Sequence, residues 1–182
     1  IRVVEILSIL DIIMLVLIII QQTIADIRIK NKNKVLEKKA YVDLQTGLPN
    51  KSKCEEMLRS CEYITEPMGF VMFDLNNLKL ANDTYGHAVG DQLITNFAKL
   101  LRNSIPSKYF VGRYGGDEFM VVIYNTSKTE IEDILKQLSR EKDRLNSSGN
   151  NMPIDYACGW AISDADSECT IQMLLDKADC YM

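Results

Sequence analysis

The sequence predicts an α+β domain, an antiparallel-rich central sheet with helices packed on it, preceded by an amino-terminal helix. Three observations predict it. The run Phe70-Val-Met-Phe-Asp74 is apolar and ends abruptly in a carboxylate, as a buried strand does. Residues 109–114 and 118–124 are two strand-like runs separated by Gly-Gly-Asp, a hairpin signal. Residues 90–105 carry Leu93, Ile94, Phe97, Leu100 and Leu101 at helical spacing. Strands and helices in this order give an antiparallel sheet covered by helices.

The first element is the stretch 3–20, interrupted only by Glu5, Ser8 and Asp11 and unbroken from 12 to 20. A bilayer-spanning helix needs roughly 20 mostly apolar residues, so this one is just long enough. Its two carboxylates count against spanning, and a buried or dimer-forming helix of the same length is the competing reading. We expect the spanning helix, and, because the chain opens on Ile rather than Met, further protein upstream of it. Arg28, Lys30, Lys32, Lys34, Lys38 and Lys39 follow the apolar run. Such flanking charge marks the cytoplasmic side of a cell (inner) membrane, where the rest of the chain is then expected. Residues 21–42 contain no Gly or Pro and are expected to continue as a helical linker. Ile24, Ile27, Val35, Leu36 and Val42 could line a dimer seam, but Asn31 and the lysines break a clean heptad.

From Asp43 to Met182 the chain reads as one globular domain. Gly47, Pro49 and Asn50 mark a turn, and 51–61 reads as a helix. The strand ending at Asp74, the helix 90–105 and the hairpin follow. A helix is then expected over 129–145, a strand over 154–162 and a last helix over 170–181.

A net charge of −4 argues against a nucleic-acid partner, which would call for a basic stripe. A nucleotide substrate stays compatible, because a bound metal can supply the positive charge phosphates need. Cys54, Cys61, Cys158, Cys169 and Cys180 show no C-x-x-C pair, and His87 is the one histidine, so no zinc site is expected. Scattered thiols of this kind read as small apolar fillers in a reducing compartment, the cytoplasm.

The candidate chemistry lies in three acids. Asp74 closes the first strand, while Asp117 and Glu118 sit in or just after the hairpin turn. If those strands are neighbours, the strand end and the turn converge at one edge. Carboxylates without histidine or thiolate partners suit a hard cation such as Mg²⁺, or Mn²⁺, bound together with phosphate oxygens. Gly115 and Gly116 have no side chains, so a nucleotide can approach the backbone there. Metals bridging a phosphate could activate a hydroxyl and neutralise a leaving pyrophosphate. Each feature alone has a plainer explanation: glycine suits hairpins by accepting positive φ, and an Asp at a strand end is often a cap. Their co-occurrence carries the weight.

Three motifs in order make the chain resemble the GGDEF family of diguanylate cyclases. Arg113-Tyr-Gly-Gly-Asp-Glu-Phe119 resembles the family signature. Asp43-Leu-Gln-Thr-Gly-Leu-Pro-Asn50 is similar to its domain-opening motif. The segment from Phe73 to Asp91 is similar to its metal and guanine segment. The resemblance implies a ferredoxin-like (βαββαβ) core related to nucleotidyl cyclases, and a homodimer that condenses two GTP into cyclic di-GMP. It implies Asp74, Asp117 and the Leu75 carbonyl as metal ligands, and Glu118 as a further ligand or the base for the 3′-hydroxyl. Asn82 and Asp91 would read guanine, since a carboxylate accepts from both its ring N–H and its amine. Lys79 would contact the triphosphate, acting with Asp117 and Glu118 in catalysis, and Gly115 and Gly116 would line the substrate. Arg113 would support the turn or add phosphate-side charge, and His87 would pack at a helix start.

Three departures qualify this. Pro106-Ser-Lys-Tyr109 stands where many members carry an inhibitory Arg-x-x-Asp, so no product inhibition is expected there. Asn76 replaces a frequent acid. The chain stops at Met182 within the last helix, ahead of basic residues that many members place beyond it, so the domain is expected to be truncated. A domain that binds GTP or dimerises without turnover is the competing reading. The intact set Asp74, Asn82, Asp91, Asp117 and Glu118 speaks against it.

Overall fold

The computed structural model describes residues 2–61, 66–149, 152–163 and 171–180, with the side chains of 2–12, 33–34, 37–39, 171–172 and 179–180 outside the description. The chain divides into two compact units, Ile1–Ala40 and Tyr41–Met182. The first is almost all of α1 (Arg2–Tyr41), one uninterrupted helix of 40 residues. Ile13 through Ile20 are each 44–60% exposed in it, with no polar face among them. Among the described residues no helix is long and apolar enough to cross a membrane. The expected span 3–20 draws more than half its length from 3–12, whose side chains lie outside the description. At Val42 the chain leaves the helix and bridges Pro49.

The second unit starts with α2 (Lys51–Ser60), capped by the Asn50 side chain, which accepts from the Lys53 N–H. Then come β1 (Met68–Leu75), α3 (Leu78–Tyr85), α4 (His87–Ser104), β2 (Phe110–Arg113), β3 (Glu118–Tyr124), α5 (Lys128–Ser147), β4 (Tyr156–Ser163) and α6 (Ile171–Cys180). The four strands lie in the order β2-β3-β1-β4, and every neighbouring pair is antiparallel. With helices crossing from β1 to β2 and from β3 to β4, this is the ferredoxin-like arrangement.

Alternate residues of the two central strands serve different faces. Val71, Phe73 and Leu75 of β1 and Phe119, Val121 and Ile123 of β3 join Leu93, Phe97 and Leu101 of α4 and Ile131 and Leu138 of α5. Phe70, Met72, Met120 and Val122 join Cys54 and Leu58 of α2 and Leu174 and Ala178 of α6 on the opposite face. Both faces are covered, which is why β1 and β3 read as continuous apolar runs. Phe97 is edge-on to Phe119 at 5.0 Å and to Phe73 at 6.0 Å. Such pairs add about 1 kcal/mol each beyond area burial.

Helix α3 was not expected. It has one buried residue, Ala81, so no apolar period announces it, and it begins after Asn77 in the left-handed region at φ 63°. Cys54, Cys61 and Cys158 are free thiols. Burial pushes the Cys54 thiol up to about 12, which makes it a packing group. Cys169 lies outside the described residues.

Candidate active site

The end of β1 and the hairpin turn are locked together by the strand ladder. Asp74 stands opposite Glu118 in the β1–β3 register. One residue on, the Leu75 N–H donates to the Asp117 carbonyl at 3.0 Å. The turn closes on itself where the Tyr114 and Gly115 N–H groups both donate to the Glu118 carbonyl, at 2.8 and 3.1 Å. The expected convergence of Asp74, Leu75, Asp117 and Glu118 at one sheet end is thereby present in the backbone.

Electrostatics mark the Asp74–Asp117 pair. Burial raises the Asp74 carboxyl pKa, and the nearby charge of Asp117 raises it further. A divalent cation would relieve that excess of negative charge. Two carboxylates with a backbone carbonyl form an all-oxygen set, and Mg²⁺ commonly takes one or two carboxylates plus phosphate. The residues present therefore fit such an ion. Glu118 lies beside the turn: a Cβ on Gly115 would fall 2.3 Å from Glu118 Oε2, so this side chain is folded over the turn. Among the described residues no three Asp, Glu, His or Cys side chains group as a metal site.

The glycines are there for space and not for φ. Positive φ among the glycines occurs at Gly47, Gly86 and Gly149, and neither Gly115 nor Gly116 adopts it. A Cβ on Gly115 would crowd the end of the Glu118 side chain. A Cβ on Gly116 would meet nothing within 4 Å, so the backbone there is open to approach.

Arg113 is bonded to the turn. Its Nε donates to the carbonyls of Gly115 (3.1 Å) and Gly116 (3.2 Å), and Nη2 to Gly116 (2.7 Å). Nη1 donates to both Asp43 oxygens, at 3.1 and 3.2 Å, and to Gln45 Oε1 at 2.7 Å. The side chain is 12% exposed, and all three guanidinium nitrogens bond to the protein. Arg113 thus supports the turn. Burial alone would raise the Asp43 carboxyl, but donation from the Thr46 side chain and N–H and the Arg113 charge hold it below the usual range.

The residues expected to read the base meet at the α3–α4 junction. A Cβ on Gly90 would fall 2.0 Å from Asn82 Oδ1, so the Asn82 carboxamide rests against α4 one residue before Asp91. The exposed Asp91 accepts from Gln45 Nε2 through Oδ1 at 2.9 Å and through its backbone carbonyl at 3.2 Å. Lys79 is exposed in the first turn of α3. His87 is the first residue of α4 as expected, but it is exposed and does not pack. Asn76 is tied to Asp155 by its N–H and by its side chain, both at 3.0 Å, so it holds β4 in place. Tyr109, in place of an inhibitory acid, is buried and donates to Glu130 Oε1 at 2.5 Å.

Sequence reasoning missed the structural use of Asp43 and Gln45. Asp43 had a local signal, since Asp-x-x-Thr is a spacing at which a carboxylate accepts from the N–H three residues on. Gln45 had none.

The sequence model of the family described as "Diguanylate cyclase, GGDEF domain" matches residues 40–182. The chain is 33% identical over 101 residues to the cyclic di-GMP phosphodiesterase PdeR of Escherichia coli, covering 54% of this chain and 15% of that protein. It is 29% identical over 118 residues to the diguanylate cyclase DgcP of the same organism, covering 63% of this chain and 35% of DgcP. The chain thus spans well under half of either relative. Among solved structures, the coiled coil and GGDEF domain of DgcB from Caulobacter crescentus, in complex with c-di-GMP, aligns with a TM-score of 0.75 at 20% identity. That alignment covers 88% of this chain and 87% of the other, and bears on the fold.

Proposed function

The chain belongs to the GGDEF-domain family of diguanylate cyclases, and from that premise we propose that it condenses two GTP into cyclic di-GMP and pyrophosphate. The observation that carries the reading is the ladder that sets Asp74 opposite Glu118 and bonds Leu75 to Asp117. It fixes two carboxylates and a glycine turn at one sheet end, the combination a metal-bound triphosphate needs.

In this reading Asp74, Asp117 and the Leu75 carbonyl hold Mg²⁺, or Mn²⁺, which when bound neutralises phosphate charge and the leaving pyrophosphate. Asn82 and Asp91 hold guanine by its Watson–Crick edge. Lys79 meets the triphosphate, and the open backbone at Gly116 lets phosphates come close. Each GTP 3′-hydroxyl loses its proton and attacks the α-phosphorus of the GTP on a partner domain, and the bond to pyrophosphate breaks. Glu118 sits beside the turn as the residue to take that proton or to complete the metal shell. Two domains must face each other, so a homodimer is required, and positioning supplies much of the rate. Tyr109 is buried against Glu130, which supports a cyclase without the Arg-x-x-Asp product-binding site.

The apolar run 3–20 and the basic residues after it support attachment of this domain to the cytoplasmic face of a membrane. Nucleic acid has no part in the reading. The second reading is a domain that binds GTP or dimerises without turnover. It is favoured by the likeness to PdeR, a protein named as a cyclic di-GMP phosphodiesterase and not as a cyclase.

The test is incubation with GTP and Mg²⁺ and separation of the products by chromatography. Cyclic di-GMP that disappears in Asp117→Ala supports the cyclase. GTP binding without product, in wild type and variant alike, supports the second reading.

A further inference from the structure

We propose that Gln45 is a positioning residue for guanine recognition: its carboxamide sets the Asp91 carboxylate for the base and ties it to the signature turn through Arg113. This rests on the reading above, in which Asp91 accepts from guanine. The observation is a bridge of two short hydrogen bonds from one side chain. Gln45 Oε1 accepts from Arg113 Nη1 at 2.7 Å, and Gln45 Nε2 donates to Asp91 Oδ1 at 2.9 Å.

The chemistry leaves no other assignment of the amide. A guanidinium only donates and a carboxylate only accepts, so the oxygen must face Arg113 and the nitrogen Asp91. An amide is the side chain that offers an acceptor at one end and a donor at the other. The same nitrogen also donates to the Asp91 carbonyl at 3.2 Å, so Gln45 grips the residue at two points.

Asp91 needs that grip because it is exposed at the start of α4. An unheld Asp carboxylate turns about its terminal torsion, which is broad and roughly two-fold. Guanine presents two donors side by side, and both must meet the carboxylate in its own plane. A rotating carboxylate would have to be ordered when GTP arrives, at a cost in affinity. Gln45 orders it beforehand. Its bond uses one lone pair of Oδ1, and a carboxylate has about four acceptor positions, so enough remain for the two donors of the base.

The bridge also has a second end. Arg113 donates to the carbonyls of Gly115 and Gly116, so Gln45 connects the base-reading side of the site to the phosphate-side turn. Gln45 lies four residues after Tyr41, where α1 ends. The segment that leaves the helix thereby touches both halves of the site.

The test is equilibrium binding, in Mg²⁺, of an unreactive α,β-methylene GTP analogue and of its inosine counterpart, which lacks the exocyclic amine. The proteins are wild type, Gln45→Leu, which loses both bonds, and Gln45→Glu, which keeps the acceptor for Arg113 and turns an acceptor toward Asp91. We expect each variant to lose roughly tenfold in affinity for the guanine analogue, the scale of one charge-assisted hydrogen bond. The inosine analogue should lose much less, since a single donor can follow a rotating carboxylate. Gln45→Glu should keep the wild-type thermal midpoint, separating this effect from damage to the fold. Wild-type affinity in both variants, or equal losses on the two analogues, would overturn the role of Gln45 and leave the cyclase reading standing. Tight and guanine-selective binding without formation of cyclic di-GMP from GTP would sink the cyclase reading and leave Gln45 in its role. A wild type that does not prefer the guanine analogue removes both.

Discussion

The Asn82 carboxamide lies where a side chain on Gly90 would have to be: a Cβ there would fall 2.0 Å from Oδ1 and 2.9 Å from Cγ. Gly90 is a buried residue inside α4, and glycine in a helix interior costs about 1 kcal/mol relative to alanine. The sequence bears that cost where Asn82 needs room.

Gly90→Ala therefore separates stability from binding. The alanine gains about 1 kcal/mol of helix propensity, and the atom it meets is the end of a side chain that can turn away. We expect a thermal midpoint within a few degrees of wild type and GTP affinity down by at least tenfold. A variant with unchanged affinity would mean that Asn82 does not touch the base.

Asp74→Asn should act oppositely on stability and on metal binding. The Asp74 carboxyl is raised by burial and by Asp117, so the ionised form is disfavoured in the folded state. That contribution favours folding at acid pH and is lost as pH rises through the raised value. In metal-free protein at pH 7 the Asn variant should melt higher than wild type. Mg²⁺ should raise the wild-type midpoint and leave the variant's unmoved, and turnover should fall by roughly 10²-fold or more. A Mg²⁺ shift of wild-type size in the variant would remove Asp74 from the metal site.

Asp43 gives the reverse pH dependence. Its carboxyl is held below its ordinary value by Thr46 and Arg113 despite burial. Its contribution is thus fully present above about pH 4 and lost as pH falls through the lowered value. Asp43→Asn should cost about 2 kcal/mol at pH 7, because it leaves the Arg113 charge short of a partner. It should also flatten the loss of stability below pH 4. Urea unfolding at pH 7 and pH 3 measures both, and equal costs at the two would contradict the assignment.

How far the site could be read in advance depended on where each interaction lies in the chain. The hairpin announced itself through Gly115 and Gly116, and the ladder then set Asp74 opposite Glu118 much as the two apolar runs implied. Helix α4 was legible because Leu93, Phe97 and Leu101 repeat at its period, while α3 was not, with one buried residue to mark it. Gln45, Asp91 and Arg113 meet across 46 and 68 residues of chain. A polar side chain in a loop carries no period that would predict such partners. The crowding of Gly115 by the Glu118 side chain was hidden for the same cause, since it becomes visible only in three dimensions.

Tyr109 supplies the last prediction. Its hydroxyl donates to Glu130, and Thr126 donates to the other oxygen of that carboxylate at 3.2 Å. The Ser127 hydroxyl accepts from the Glu130 N–H, the first half of a capping box. In a full box the glutamate would reach back to its own cap. Here it reaches across to Tyr109 at the entry to β2 and pins α5 to that strand. The hydroxyl hydrogen bond is the first cause of the lowered Glu130 carboxyl pKa. Tyr109→Phe should keep the buried ring and cost about 1 kcal/mol, seen as a lower urea midpoint with an unchanged slope. Turnover should stay at the wild-type level, because the contact lies outside the metal and base sites. Added cyclic di-GMP should slow neither wild type nor variant through this stretch, since Pro106-Ser-Lys-Tyr109 presents no Arg–Asp pair. A variant in which product inhibition appeared would show that the Tyr109–Glu130 contact closes a product site, and the reading of this stretch as a purely structural pin would have to be given up.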